Sequence, residues 1–446
     1  MEEIGKNIER KTTIEIGKEN LGEIVRLCGF VSYIRELGEV SFFVLRDREG
    51  EIQITLHRNE VSDEVFKAFK DLNRESVVEV IGKVRGDERA PRGIEIIPEQ
   101  IKILSKCLDL LPVDPAERKE PPLDVAIDNR PIDLRRKKMK CIILIQDAIL
   151  EGFRRYLRGK GFVEINTPKI IASGTEGGAE LFPVQYFDKL AYLAQSPQFY
   201  KQFAIIGGLE KVYEIGHVFR AEEHHTTRHL NEYESMDVEF AFIKDEFDII
   251  NLAEELICSI LEYVKDTRNE ELKFLGVEVE IPKRPFPRIS FPEIYEKKEE
   301  IGIEIKEGED LNAENERKVG DYIKKKYNHD FYFLTKFPLA VRPAYTMPDD
   351  PENLNGYSRG FDLIYKGIEI VTGGQRIHDY NLLVKAFKNK GYNPDDFEYY
   401  LKFFKYGVPP HGGFAIGLER LTKQLLNLPN IREATFLIRD KTRLVP

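Results

Sequence analysis

From Phe219 to Phe240 the chain runs FRAEEHHTTRHLNEYESMDVEF, a strand–loop–strand pattern that carries three of the chain's eight histidines and little apolar surface. On the second strand Met236, Val238, Phe240 and Phe242 alternate and can face a core. Tyr233, Ser235, Asp237 and Glu239 then share the opposite face. On the first strand Arg220 and Glu222 share a face. Cations, an aromatic ring and carboxylates side by side suit an anionic, planar ligand such as a nucleotide: arginine for phosphate, a ring for stacking, an acid for an amine. A solvated hairpin is the plainer alternative. A zinc site made by His224, His225 and His229 is another, but these lie in a loop with no cysteine behind them.

Such a surface needs a scaffold, and the pattern of the chain supplies two. Between Glu23 and Leu104 the segments IVRLCGFVSYIRE, VSFFVLRD, EIQITLH, VVEVIGKVRG and GIEIIP alternate as strands, with DREG as a hairpin turn and DEVFKAFKDLN as one helix. Five strands and a helix in this span predict a small barrel of the OB type. Residues 106–134, rich in proline and charge, predict a linker. The stretch from Arg135 to Phe162 predicts one long helix with Ile142, Ile145, Ile149, Phe153 and Tyr156 on one face. FVEINTPKI follows as a strand closed by Pro168. From there to Pro446 strands and helices mix without a strict βαβ rhythm, so the expected class is α+β: a mainly antiparallel sheet flanked by helices.

Composition narrows the classes. At 446 residues, 42% hydrophobic and 32% charged, the chain is a globular protein of two or three domains. No apolar run reaches membrane-spanning length, and the polar start MEEIGKNIERK is not a secretory signal, which implies a cytoplasmic protein. Cys28, Cys107, Cys141 and Cys258 lie far apart, which argues against a zinc ribbon or a disulfide framework. The net charge of −10 neither advertises nor excludes a nucleic-acid partner, since local patches decide. No Walker or Rossmann glycine loop is present.

The charged hairpin resembles motif 2 of the class II aminoacyl-tRNA synthetases. GFAIGLERLTKQLL resembles their motif 3, and the long helix, strand and Pro168 resemble motif 1. SGTEGGAELFPV, YLAQSPQFYKQ, GFDLIYKGIEIVTGGQRIH and RDKTRLVP narrow the likeness to aspartyl-tRNA synthetases of the archaeal and eukaryotic type. The likeness spans the chain: residues 1–105 as an anticodon-binding OB barrel, 106–134 as a hinge, and 135–446 as the catalytic domain with a variable insertion at about 266–330. It implies ATP and L-aspartate as substrates, Mg²⁺ as cofactor, tRNA(Asp) as partner, and a homodimer built through motif 1.

The resemblance also implies roles. Arg220 matches the contact to the α-phosphate, Glu222 a residue near adenine, His229 a contact to the far phosphates, Tyr233 the ring that stacks on adenine, and Arg420 the cation on adenine's other side. Asp362, Glu369 and Thr372 match magnesium ligands; Asp362 and Glu369 are seven residues apart in one run, so a bend or bulge must bring them together. Lys201 and Arg376 match the cations that grip the side-chain carboxylate of aspartate, while Glu176, Gln198 and Asp237 match groups near its ammonium and backbone. Asparagine would leave one buried cation without its anion. Gly412, Gly413 and Gly417 would allow close backbone approach to the ligand, or serve as strand-end turns.

On the barrel, Arg35, Phe42 and Gln53 match anticodon contacts, with Phe42 exposed and Phe43 in the core. Members strict for tRNA(Asp) tend to carry tryptophan where this chain has Ser32 and a polar or basic residue near Pro91. Their absence points to acceptance of tRNA(Asn) as well, although the histidine of the relaxed type is also missing at position 32. The competing readings are an asparaginyl-tRNA synthetase, a silent RNA-binding paralogue and an amide-forming relative. Lys201, the intact Arg220, Glu369 and Arg420, and the barrel speak against them in turn.

Overall fold

A computed structural model describes residues 8–116, 118–174, 180–222 and 226–446. The chain divides into two compact units at Pro121 and Pro122.

In the first unit β1 (Ile24–Leu37), β2 (Val40–Arg46), β3 (Glu51–His57), β4 (Val77–Gly86) and β5 (Ile94–Ser105) close into a barrel in the order β1-β2-β3-β5-β4. Alternation does the work. Val25, Leu27, Val31, Phe43, Leu45, Ile52, Ile54 and Leu56 point inward and are packed with Phe69 of the helix Asp63–Lys70. That helix is capped by the Ser62 hydroxyl, which accepts from the Val65 amide. A bulge at Ser32 changes the register of β1 on β2, so Tyr33 faces Val44 rather than Phe43. The extra residue is spent at Ser32, which is itself buried, and Tyr33 turns outward.

The second unit is built on an eight-stranded sheet. Its strands are β6 (Val163–Glu164), β10 (Lys211–Phe219), β11 (Glu232–Ala241), β12 (Arg288–Ser290), β13 (Phe331–Thr335), β14 (Gly360–Tyr365), β15 (Ile368–Arg376) and β16 (His411–Gly417). They lie in the order β12-β13-β14-β15-β16-β11-β10-β6, antiparallel except at the two outer pairs. A second, three-stranded sheet orders β7 (Ile170–Ile171), β9 (Lys189–Leu193) and β8 (Pro183–Tyr186). One face of the large sheet is apolar. Met236, Val238, Leu363, Phe414 and Ile416 pack there against Ile142, Ile145, Ile149 and Phe153 of the helix Lys137–Gly159 and against the helix Glu246–Thr267. The other face carries the polar half of each alternation and is the floor of a cavity.

Several local readings need correction. Phe242 does not continue the β11 alternation: its amide donates to the Pro410 carbonyl, its φ is +60°, and its ring is exposed. FVEINTPKI is not one strand: Val163 and Glu164 pair with β10, Ile170 with β9, and between them the Thr167 amide donates to the Glu214 side-chain carboxylate rather than to a backbone carbonyl. The run RGFDLIYKGIEIV folds as the β14–β15 hairpin. Lys366 and Gly367 have φ of +47° and +73°, the pair of positive values a type I′ turn requires. Within 106–134, Leu123–Asp128 and Arg130–Asp133 are helical, and Arg130 is buried with its guanidinium on Asp133 and the Arg432 carbonyl. No helix among the described residues is long and apolar enough to cross a membrane.

Candidate active site

The cavity over the polar face of the large sheet has a volume of about 570 Å³. At one end the helix Gln198–Ile206 presents Gln198 and Lys201, three residues apart and therefore on one face, to β11. The Lys201 ammonium donates to Asp237 at 2.7 Å and stands 3.5 Å from Glu239, with side chains 1%, 2% and 0% exposed. Arg376, at the end of β15, donates to Glu239 at 3.1 Å, to the Gln198 amide oxygen at 3.1 Å and to the Gly413 carbonyl at 3.0 Å. Burial alone would raise the Glu239 carboxyl, but Arg376 and Lys201 outweigh it and hold it below its ordinary value. Two cations and two carboxylates thus share one dry corner. Gly413 makes it possible, since a Cβ there would overlap the Val238 carbonyl and the Glu239 carboxylate. Gly412 faces Ile249 of the supporting helix instead, so these two glycines serve packing within the sheet and its helix.

At the other end stand the arginines of the charged hairpin and of the last long helix. Arg220 follows β10, its amide donates to the Asn231 carbonyl, and its guanidinium lies 5.9 Å from the centre of the Tyr233 ring. Asn231 clamps both ends of the intervening loop by donating to the carbonyls of Arg220 and Glu222. Arg420, one turn into the helix Leu418–Leu425, reaches the carbonyl and the carboxylate of Glu369, each at 3.3 Å. His229 is lowered to about 4, first by burial and then by Arg420 and Arg228, so it is neutral at physiological pH. Its Nδ1 shares a hydrogen bond with the Thr226 hydroxyl at 2.6 Å, and its Nε2 stands 3.8 Å from the Glu222 carboxylate.

Between the two ends lies the β14–β15 hairpin. Asp362 pairs with Thr372 and Leu363 with Val371, but Ile364 pairs with Glu369, so Ile370 is an extra residue. That bulge turns Glu369 to the face of Asp362 and Thr372, and all three line the cavity. Arg342 bridges two of them, donating to Asp362 at 2.7 Å and to Thr372 at 2.9 Å while stacking on Phe337. Burial raises Asp362 to about 7; Arg342 opposes this and the nearby Glu369 adds to it. Among the described residues no three His, Cys, Asp or Glu side chains gather as a closed metal site. Two carboxylates and a hydroxyl on one face are nonetheless a hard-oxygen set, of the kind that holds magnesium together with phosphate oxygens. The raised Asp362 carboxyl is a group that added positive charge would stabilise in its ionised form.

The structure brings Arg220, Glu222, His229, Tyr233, Gln198, Lys201, Asp237, Asp362, Glu369, Thr372, Arg376 and Arg420 to this one cavity. Glu176, His224 and His225 lie outside the described residues. The sequence places Glu239 on the charged face beside Asp237 but gives it no individual role. It also gives no role to Arg342 or Glu316.

In the first unit, Arg35 lies opposite Phe42, Phe42 opposite Thr55, and Gln53 opposite Val44. Arg35, Phe42 and Gln53 therefore share one outer face of the barrel. Phe43 is fully buried and Phe42 half-buried, with the Tyr33 ring 6.1 Å from it. The Gln53 amide rests on the Thr55 hydroxyl at 3.0 Å. Pro91 opens an exposed turn, Pro91–Gly93.

Known proteins resemble this chain along its length. An aspartate–tRNA(Asp) ligase of Pyrococcus furiosus is 46% identical over 97% of this chain and 98% of its own length. An aspartate–tRNA(Asp/Asn) ligase of Methanopyrus kandleri is 44% identical over 97% and 99%. The crystal structure of asparaginyl-tRNA synthetase from Pyrococcus horikoshii, complexed with asparaginyl-adenylate, superposes with a TM-score of 0.90 at 32% identity, covering 98% of this chain and all of that one. Residues 25–104 match the OB-fold nucleic acid binding domain. With residues 122–441 matching the class II tRNA synthetases for D, K and N, the chain belongs to that family.

Proposed function

We propose that this protein attaches L-aspartate to tRNA(Asp) at the expense of ATP. One observation carries the reading: the buried group of Lys201, Arg376, Asp237 and Glu239 closes the end of a cavity whose other end carries Arg220, Tyr233 and Arg420. Lys201 and Arg376 bind the side-chain carboxylate of the amino acid, and Asp237 and Gln198 face its ammonium. The α-carboxylate oxygen attacks the α-phosphorus of ATP, the bond to the bridging oxygen of pyrophosphate breaks, and aspartyl-adenylate forms. Arg220 stabilises the charge that gathers on the α-phosphate, a fixed cation in a dry site. Tyr233 and Arg420 sandwich adenine, and neutral His229 faces the outer phosphates. Asp362 and Glu369, with the Thr372 hydroxyl, would hold Mg²⁺, which when bound supplies positive charge to the triphosphate. In the second step the terminal ribose hydroxyl of tRNA attacks the acyl carbon and AMP leaves.

The likeness to a solved asparaginyl-tRNA synthetase makes asparagine the competing substrate. A neutral carboxamide would give the buried Lys201 and Arg376 a weaker partner than a carboxylate, with no charge-assisted hydrogen bond from the ligand, which favours aspartate. ATP–pyrophosphate exchange with each amino acid tests this, and a rate with asparagine equal to that with aspartate refutes it. The barrel's outer face, with Arg35, Phe42 and Gln53, is proposed to bind the anticodon, and the helix Lys137–Gly159 to build a homodimer. We further propose that tRNA(Asn) is charged with aspartate too, since position 32 offers a buried serine where a large ring would restrict the third anticodon base. Charging of both purified tRNAs tests it, and a hundredfold preference for one ends the idea.

A further inference from the structure

The helix Ala313–Tyr327 belongs to the variable insertion, yet it touches the site. Asn312 caps its first turn by accepting from the amides of Glu314 and Asn315. Val319 and Ile323 anchor it in a core with Tyr332, Leu334 and Ile364. It lies against the β14–β15 turn so closely that a Cβ on Gly320 would be 3.2 Å from the Gly367 Cα. From this fixed base Glu316 extends both carboxylate oxygens. Oε1 accepts from the Glu369 amide at 3.0 Å, and Oε2 accepts from Arg228 at 3.0 Å. The Glu316 side chain is 12% exposed and that of Arg228 29%. The Tyr332 hydroxyl donates to the Glu316 carbonyl, which fixes the backbone from which the side chain extends.

Arg228 and His229 are neighbours on the loop 226–231, and both line the cavity. Glu316 thus joins two segments that share no strand: the loop beyond Arg220 and the bulged strand that carries Glu369. A carboxylate placed beside another carboxylate is unfavourable unless a cation offsets it, and Arg228 is that cation. We infer that Glu316 is a positioning residue for ATP: it ties the loop 226–231 to the backbone of Glu369, so that both approach the triphosphate in a preset geometry.

This rests on the aspartate-ligase reading, and the two can fail separately. A wild-type chain with no aspartate-dependent ATP–pyrophosphate exchange would refute that reading. For Glu316, exchange is measured in E316Q and E316A, with hydrogen exchange of the 226–231 amides in the absence of nucleotide. Losing one charge-assisted tie should raise the KM for ATP about tenfold in both variants. The KM for aspartate should hold within about twofold, and the loop amides should exchange faster. In an R228Q background, E316Q should have no further effect on the KM for ATP, since its partner is already gone. An active E316Q with unchanged KM for ATP overturns the proposal. So does a lowered KM, which would make Glu316 a competitor of the triphosphate for Arg228. A defect in E316A but not E316Q also overturns it, because an amide acceptor for Glu369 would then suffice.

Discussion

Glu239 accepts from Arg376 at 3.1 Å while standing 3.5 Å from the Lys201 ammonium, so one carboxylate serves both cations of the pocket. The shared acid explains how two positive side chains stay buried side by side before any substrate arrives. It also makes Lys201 costly to lose. K201M would leave Asp237 and Glu239 with one cation between them and, on the proposed reading, remove half of the grip on the substrate carboxylate. Breaking a buried pair costs roughly 3–5 kcal/mol. Aspartate-dependent exchange should therefore fall by about 150- to 5,000-fold in kcat/KM. Initial rates across aspartate concentration, with ATP saturating, check this.

The same corner predicts that the glycines of HGGFAIG are unequal. G413A would drive a methyl group into the Val238 carbonyl and the Glu239 carboxylate, neither of which can withdraw without breaking the β11–β16 ladder or the Arg376 pair. A loss at the top of the overpacking range, about 3 kcal/mol, should follow. G417A is the control, because its Cβ would meet nothing closer than 3.7 Å. Thermal melting of the two variants should separate them clearly.

The contrast shows where the residue pattern was informative. Period-two alternation marked β11 as having one apolar and one chemical face, and the structure uses both faces that way. The barrel's inward residues were legible for the same reason. What alternation cannot show is a change of register. The bulge at Ile370 and the two positive φ values at Lys366 and Gly367 turn the run RGFDLIYKGIEIV into a hairpin with its carboxylates on one face. Arg342 and Glu316 were invisible because their partners are distant in sequence: Asp362 is twenty residues from Arg342, and Arg228 eighty-eight from Glu316. A single sequence carries no signal for such pairs.

A pH dependence follows from Glu419. It is buried beside the cavity, accepts from the Glu234 amide, and is raised to about 8, by burial above all. Its folded value lies above its unfolded one of 4.5, so the native state holds the proton more tightly. The resulting stability is fully present below pH 4.5 and is lost as pH rises through about 8. E419Q keeps the shape without the titration. Relative to wild type, it should gain about 2–4 kcal/mol between pH 5 and pH 9, a range discounted for local relaxation. Melting temperatures of both proteins at the two pH values, with magnesium and nucleotide absent, give the difference directly. Parallel curves would place the Glu419 proton elsewhere.

The barrel offers a test that separates binding from chemistry. Phe42 shares its face with Arg35 and Gln53 and packs on Tyr33, whereas Phe43 fills the interior. F42A therefore removes a stacking surface without opening the core. Stacking of a base on an aromatic side chain is worth about 1–3 kcal/mol. Charging of tRNA should fall by about 5- to 150-fold in kcat/KM, through the KM for tRNA. Exchange of ATP with pyrophosphate uses no tRNA and should be unchanged. F43A opens a cavity in the barrel core and should instead lower the melting temperature, with a cost of about 3–5 kcal/mol. If F42A impairs both reactions equally, Phe42 is supporting the fold rather than meeting a base, and the outer face of the barrel loses its assigned partner.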